Sequence, residues 1–184
     1  MYLDRSFILE EIKNDRIRLD PFDPEQVAQS SVDVHLHRLL YVYNGKRPLD
    51  LMRNDDDCFD LLDISSRPFL LTSGMFVLGA TAEKFSSSHY LAEILGCSST
   101  ARKAVGVEDA GFIERGFHGN ITLELRCAIP EGVYLHAGCK IAQLKFVWAG
   151  QAEDYQIRGH YRDASDHDGP MLSRSHLQTR RHHP

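Results

Sequence analysis

A turn of small residues, Gly96-Cys97-Ser98-Ser99, opens a short helical stretch that carries Arg102. Ser98 or Ser99 would be a favourable N-cap, because a serine hydroxyl can accept a hydrogen bond from a free backbone N–H of the first helical turn. Hydroxyls, free N–H groups and a guanidinium one turn further on suit an anion such as phosphate. A capped surface helix with a solvated arginine explains the same pattern.

Glu124 is a second group that could do chemistry. It stands in the segment Ile121-Thr122-Leu123-Glu124-Leu125, where apolar and polar residues alternate, so Thr122 and Glu124 share one face of a predicted strand. A carboxylate in this position, just after a glycine-rich loop, can face a site and transfer protons. An exposed strand face is the ordinary explanation for such a glutamate.

Together the two segments resemble the phosphate-binding and catalytic segments of the dCTP deaminase family, relatives of the trimeric dUTPases. The family patterns G-(R/K)-S-S-L-x-R and T-A-G-F-I-D-P-G-F-x-G-x-I-T-L-E-L are matched by Gly96, Ser98, Ser99 and Arg102, and then by residues 110–113, Gly116, Phe117, Gly119 and residues 121–125. Weaker likenesses to the same family run through residues 20–36, 71–83 and 138–144.

The resemblance implies roles for particular residues. Glu124 would transfer protons, and Ser98 and Arg102 would bind and polarise the attacking water. The residues implied in substrate binding are Ser99, Ala110, Gly111, Glu114, Gln143, Tyr161 and Arg174. Tyr161 and Arg174 are the nearest counterparts of a family tail that closes over the triphosphate.

Three functions follow from this resemblance. The first is hydrolytic deamination of dCTP, or of a related cytosine deoxynucleotide, to dUTP and ammonia, with cleavage of the triphosphate to dUMP left open. The second is a dUTPase-like pyrophosphatase, against which Glu124 argues because dUTPases generally carry an apolar residue there. The third is a nucleotide-binding trimer without turnover.

A metal-free site is expected for the deamination. Zinc deaminases use H-x-E and P-C-x-x-C ligands, and the sequence has neither motif. A carboxylate must then transfer the protons while hydroxyl, guanidinium and backbone groups hold the water. The resemblance implies Mg²⁺ only as a companion of the triphosphate, and a homotrimer whose active sites lie between subunits, with Arg102 bonding across the interface.

Departures from the family pattern fall in the recognition segments. Cys97 replaces an arginine or lysine, Glu114-Arg115 replaces Asp-Pro, and His35 and His37 replace arginine and glycine. The loss of a fixed positive charge at Cys97 favours the third function. Arg115 could restore that charge or be a plain surface residue, and the H-x-H pair could in principle ligate a metal.

Composition limits the classes of partner. The chain has 184 residues, of which 42% are hydrophobic and 26% are charged. Its net charge of −5 argues against binding to nucleic acid, which is itself negatively charged. No apolar run of about 18 residues and no signal peptide is visible, so we expect a cytoplasmic protein that binds no membrane. The four cysteines form no C-x-x-C pair, and free thiols are expected.

The spacing of the elements predicts the fold. Short apolar strands recur at roughly ten-residue intervals without alternating helices, which indicates a mainly β protein. The spacing favours an antiparallel barrel or jelly roll, and the family resemblance implies that this is a dUTPase-like distorted barrel over residues 1–150, with a short N-terminal helix capped by Asp4. Residues 151–184 are expected to be a flexible C-terminal tail. Locally, residues 19–26 are predicted as an extended linker, and Asn44-Gly45 as a type I′ hairpin turn.

Overall fold

The computed structural model describes residues 1–107, 111–150 and 166–172. Two α-helices lie in these ranges, α1 (Arg5–Lys13) and α2 (Ser98–Ala101). The strands are β1 (Ile17–Asp20), β2 (Val32–His35), β3 (Leu39–Tyr43), β4 (Phe59–Asp63), β5 (Phe69–Leu71), β6 (Val77–Ser87), β7 (Tyr90–Gly96), β8 (Val105–Val107), β9 (Phe112–Ile113), β10 (His118–Cys127), β11 (Val133–Leu135) and β12 (Lys140–Trp148). No helix in the described ranges is long and apolar enough to cross a membrane.

The strands form two large sheets and one small one. The first large sheet has the order β4-β3-β6-β10-β8, with β1 also paired to β6, and the second has the order β2-β12-β7-β9. The small sheet pairs β5 with β11. All of these strand pairs are antiparallel, so the predicted mainly β architecture is confirmed.

The core lies where side chains of the two large sheets meet. Phe85 of β6 and Phe146 of β12 are both fully buried, and their rings stack with centroids 5.9 Å apart. Such a pair gains from offset stacking as well as from the loss of exposed apolar area. It joins the sheet that carries Glu124 to the sheet that leads into α2.

The central strand β10 has the predicted alternation. Leu123 and Leu125 are fully buried, while Thr122 and Glu124 are half-buried on the opposite face. An irregularity between Asn120 and Thr122 interrupts the pairing with β6. The burial of two leucines fixes the strand register, because a slip of one residue would turn both of them outward.

The N-terminal region departs from one expectation. Asp4 caps α1 as predicted, since its carboxylate accepts the N–H of Phe7 at 3.1 Å. The extended linker over residues 19–26 is wrong, because β1 runs to Asp20 and a short 3-10 helix spans Pro24–Gln26. Neither proline interrupts an element, because Pro21 follows β1 and Pro24 is the first residue of the 3-10 helix, where a missing N–H costs nothing.

The predicted hairpin turn at Asn44-Gly45 is also wrong. β3 and β4 pair with each other, but residues 44–58 connect them. The amide of Asn44 reaches across this loop to the carbonyl of Asp57 at 3.1 Å, and the Arg47 guanidinium binds the carboxylates of Asp55 and Asp57. These side-chain bonds close the loop where a two-residue turn was expected.

Candidate active site

Cys97, and not a serine, is the N-cap of α2, so the predicted Ser98 or Ser99 cap is wrong. The helix begins at Ser98, and the Cys97 sulfur lies 3.3 Å from the Ser99 hydroxyl and 2.8 Å from the Thr100 hydroxyl. Cys97 is buried, whereas Ser98 and Ser99 are exposed. The turn therefore presents its two serines to solvent and is held from beneath by the cysteine.

The surroundings of Cys97 favour its thiolate. Burial raises the pKa of this thiol, but hydrogen bonds from Ser99 and Thr100 and the positive charge of Lys140 outweigh burial, and the net pKa is lowered. Lys140 is itself paired with Asp33, with Nζ and Oδ2 3.0 Å apart. A basic side chain of β12 thus stands near the turn in which Cys97 replaces the basic residue of the family pattern.

Arg102 is the C-cap of α2 and is exposed. The chain continues into β8, which pairs with β10 so that Val105 faces Cys127. The N–H of Ala128 donates to the carbonyl of Ala104 at 2.9 Å, which ties the end of the α2 segment to this end of β10. Glu124 lies three residues before Cys127, about 10 Å along the strand. Within one chain, the two halves of the predicted site therefore lie apart along β10.

Glu124 faces outward from the barrel. It is half-buried and pairs in register with Leu78 of β6, which is only 6% exposed. Tyr41 of β3 pairs with the same leucine from the other side. Glu124 consequently stands on the outer face of the sheet, in register with Leu78, and not in the core.

Residues 168–171, which we call the strap, cross the outer face of the same sheet. The backbone N–H of Gly169 donates to the Asn120 side chain at 3.3 Å, and that of Met171 donates to the Thr122 hydroxyl at 3.0 Å. Gly169 and Pro170 are buried. The strap therefore covers the sheet at the position next to Glu124 on the same strand face.

The glycine-rich loop leads along the edge of the other large sheet. Gly111 has a φ of +91°, which favours glycine, and β9 after it pairs with β7. Glu114 is exposed and its carbonyl accepts the N–H of Phe117 at 3.2 Å. Arg115 donates to the carbonyls of Ala149 at 2.6 Å and Gly150 at 3.1 Å, so it is engaged with the backbone.

Gln143 is half-buried on β12, where its side-chain oxygen accepts the Ser31 hydroxyl at 3.2 Å. It stands opposite Asp33 of β2 and Leu95 of β7, on the strand that also carries Lys140. Three further residues predicted to bind substrate, Ala110, Tyr161 and Arg174, lie outside the described residues.

Glu83 is a buried carboxylate whose contacts the sequence reasoning missed. It is 2% exposed and accepts hydrogen bonds from the Gln26 side chain at 2.7 Å and from the His35 backbone N–H at 3.0 Å. The His35 ring nitrogen Nδ1 lies 2.6 Å from the same carboxylate. The available signal was a basic side chain at position 35, histidine here and arginine in the family pattern, because a buried acid needs a partner.

The described residues contain no group of three or more histidine, cysteine, aspartate or glutamate side chains placed to hold a metal ion. The two histidines of the H-x-H pair have separate partners. His35 binds Glu83, and His37 binds Asp168 of the strap at 3.1 Å. All four cysteines are free thiols.

Comparisons with known proteins define the class of this fold and the family of the chain. In a crystal structure of the 2′-deoxycytidine 5′-triphosphate deaminase from Agrobacterium tumefaciens, a similar fold superposes with a TM-score of 0.61 at 19% identity, over 80% of this chain and 48% of that chain. A family model described as dCTP deaminase-like matches residues 2–148.

Two relatives agree with that match. The dUMP-forming dCTP deaminase of Corynebacterium efficiens is 38% identical over 159 residues, which is 83% of this chain and 82% of the relative. The dUMP-forming dCTP deaminase of Mycobacterium tuberculosis is 37% identical over 174 residues, 90% of this chain and 91% of the relative. The chain therefore belongs to the dCTP deaminase-like family, and like that family it is an enzyme of the deaminase class.

Proposed function

We propose that the chain removes the exocyclic amino group of dCTP by hydrolysis of the C4–N4 bond. It also hydrolyses the triphosphate, so that the products are ammonia, dUMP and pyrophosphate. The observation that carries the proposal is the position of Glu124, a half-buried carboxylate on an outer sheet face, within a segment that fits the family pattern. Cleavage to dUMP is supported by relatives whose printed activity is the dUMP-forming one.

Glu124 would act as both base and acid. Water adds to C4 of the cytosine ring as the carboxylate takes one of its protons, and a tetrahedral intermediate forms. The carboxylic acid then returns a proton to the amino group, the C4–N4 bond breaks, and ammonia leaves. Ser98 and Arg102 would hold the water and stabilise the charge that develops on the ring.

The remaining predicted residues would bind the nucleotide. Ser98 and Ser99, both exposed, would bind phosphate oxygens, and the backbone around Ala110 and Gly111 would meet the base. Glu114 and Gln143 would contact the sugar and phosphates, and Tyr161 and Arg174 would close over them. Mg²⁺ would arrive on the triphosphate, since the described residues offer no cage of their own.

A homotrimer with sites between subunits is supported by the separation within one chain. The backbone that follows α2 is tied to Ala128, whereas Glu124 lies four residues before Ala128, about 13 Å away along the extended chain. A second chain that brings its own α2 to Glu124 would complete the site. A homotrimer would thus hold three such sites.

Glu124→Gln tests the proposal, because glutamine keeps the shape of the side chain but cannot transfer the proton. Ammonia release from dCTP should fall by about a thousandfold while dCTP binding is retained. Glu131→Gln, at an exposed glutamate outside the proposed site, is the matched control. Normal ammonia release by Glu124→Gln would contradict the proposal.

Pyrophosphate release distinguishes the alternatives. The proposed enzyme releases pyrophosphate from dCTP together with ammonia. A dUTPase-like pyrophosphatase would release pyrophosphate from dUTP without ammonia from dCTP, and a binding protein would release neither.

A further inference from the structure

We propose that Asp168, clamped by His37 and Arg38, is a positioning residue that fixes the strap beside Glu124 and thereby sets how tightly the Glu124 end of the site closes on a nucleotide. This inference rests on the proposed function for its effect on catalysis. The docking of the strap itself can be measured without any activity.

Both carboxylate oxygens of Asp168 have partners. The Leu39 N–H donates to Nδ1 of His37 at 3.1 Å, so the ring proton of neutral His37 is on Nε2 and donates to Asp168 Oδ1, also at 3.1 Å. Arg38 donates from Nη2 to Asp168 Oδ2 at 3.1 Å and also binds Asp63 of β4. The clamp is therefore built from two successive residues directly before β3.

The strap fits closely against the sheet below the clamp. Gly169 has a φ of +107°, and a Cβ on it would lie 3.1 Å from Nδ1 of His37 and 3.3 Å from Cβ of Leu39. Both figures are tighter than ordinary van der Waals contact. Glycine is required here for its backbone conformation and for its lack of a side chain.

The strap ends beside the catalytic strand face. Met171 donates its N–H to the Thr122 hydroxyl, and Thr122 lies two residues before Glu124 on the same face, about 7 Å along the strand. His37 stands where the family pattern has glycine, so this part of the clamp is a departure from that pattern.

Two substitutions of His37 separate its two hydrogen bonds. In His37→Asn the side-chain oxygen can replace Nδ1 as acceptor for Leu39, but no donor from position 37 reaches Asp168. In His37→Gln the amide nitrogen reaches the position of Nε2 and keeps the donor. We expect the rate of hydrogen exchange in residues 166–172 to rise about fivefold in His37→Asn and in Asp168→Asn, and to stay near wild type in His37→Gln. The expected rise is modest because the Asp168 side chain is largely exposed.

Kinetics then separate positioning from simple stabilisation. The KM for dCTP should rise about fivefold in Asp168→Asn with kcat nearly unchanged, and the unfolding midpoint should stay at the wild-type value. His167→Gln, an exposed neighbour, is the control. Wild-type exchange in His37→Asn, or faster exchange with an unchanged KM, would overturn the inference. Failure of the proposed function would show instead as normal ammonia release by Glu124→Gln.

Discussion

The two halves of the candidate site are held in place by different means. Glu124 stands on a ten-residue strand that is paired on both sides, and buried leucines on the opposite face fix its register. The serines that would bind phosphate stand on a four-residue helix that is held by the hydrogen bonds of one buried cysteine. The position of the acid therefore depends on the core, whereas the position of the two serines depends on local contacts.

The largest expected effect concerns the half of the candidate site that carries Glu124 and depends on the core. Leu123→Ala removes a fully buried side chain directly before Glu124 and should lower the free energy of unfolding by about 3 kcal/mol, because the cavity closes only in part. Denaturant unfolding measures this loss. Leu70→Ala, at a partly exposed leucine on β5, should cost far less. Equal losses would show that β10 is no better anchored than a surface strand.

The second prediction concerns the half of the candidate site that lies on α2, and it leaves the core unchanged. Arg102→Ala should lower kcat/KM for dCTP by about a hundredfold, because a guanidinium that stabilises developing charge is lost. The midpoint of unfolding should not change, since Arg102 is exposed. Lys103→Ala, at an exposed neighbour, should leave kcat/KM near wild type. If the two variants behave alike, Arg102 is a solvated surface residue.

A smaller effect is expected from restoring the charge that the family pattern places in the turn. Cys97→Arg should tighten dCTP binding about tenfold, the value of one hydrogen bond to a charged group, and leave deoxycytidine binding unchanged. Cys97→Ser, which keeps the size and the hydrogen bonds of the N-cap, is the control. Calorimetric titration with both ligands measures the difference. A correctly folded Cys97→Arg protein with wild-type dCTP affinity would show that this turn does not bind the phosphates.

Sequence patterns predicted the parts of the molecule that alternation and burial determine. The alternation in residues 121–125 correctly placed Glu124 on the face opposite Leu123 and Leu125, and the strand spacing gave the antiparallel fold. Asn44-Gly45 was misleading, because the amide of Asn44 found partners across a long loop and not in a two-residue turn.

Other features could not be predicted, since they arise from single contacts between distant segments. The strap has no apolar periodicity, and it docks through backbone N–H groups and the carboxylate of Asp168. Cys97 has a low intrinsic preference for the N-cap, and its position depends on Thr100 and on the carbonyl of Ile141. Neither interaction leaves a pattern in the local sequence.

The most direct test of the account mixes two inactive chains. Glu124→Gln and Arg102→Ala proteins are unfolded together, refolded at equal amounts and assayed for ammonia release from dCTP. If one site takes Glu124 from one chain and Arg102 from another, each mixed trimer has one site in which both residues are intact, which is about a quarter of all sites after random assembly. Ammonia release should therefore recover to about a quarter of wild type. Mixed trimers that form and release no more ammonia than the separate variants would contradict a deaminase site shared between chains.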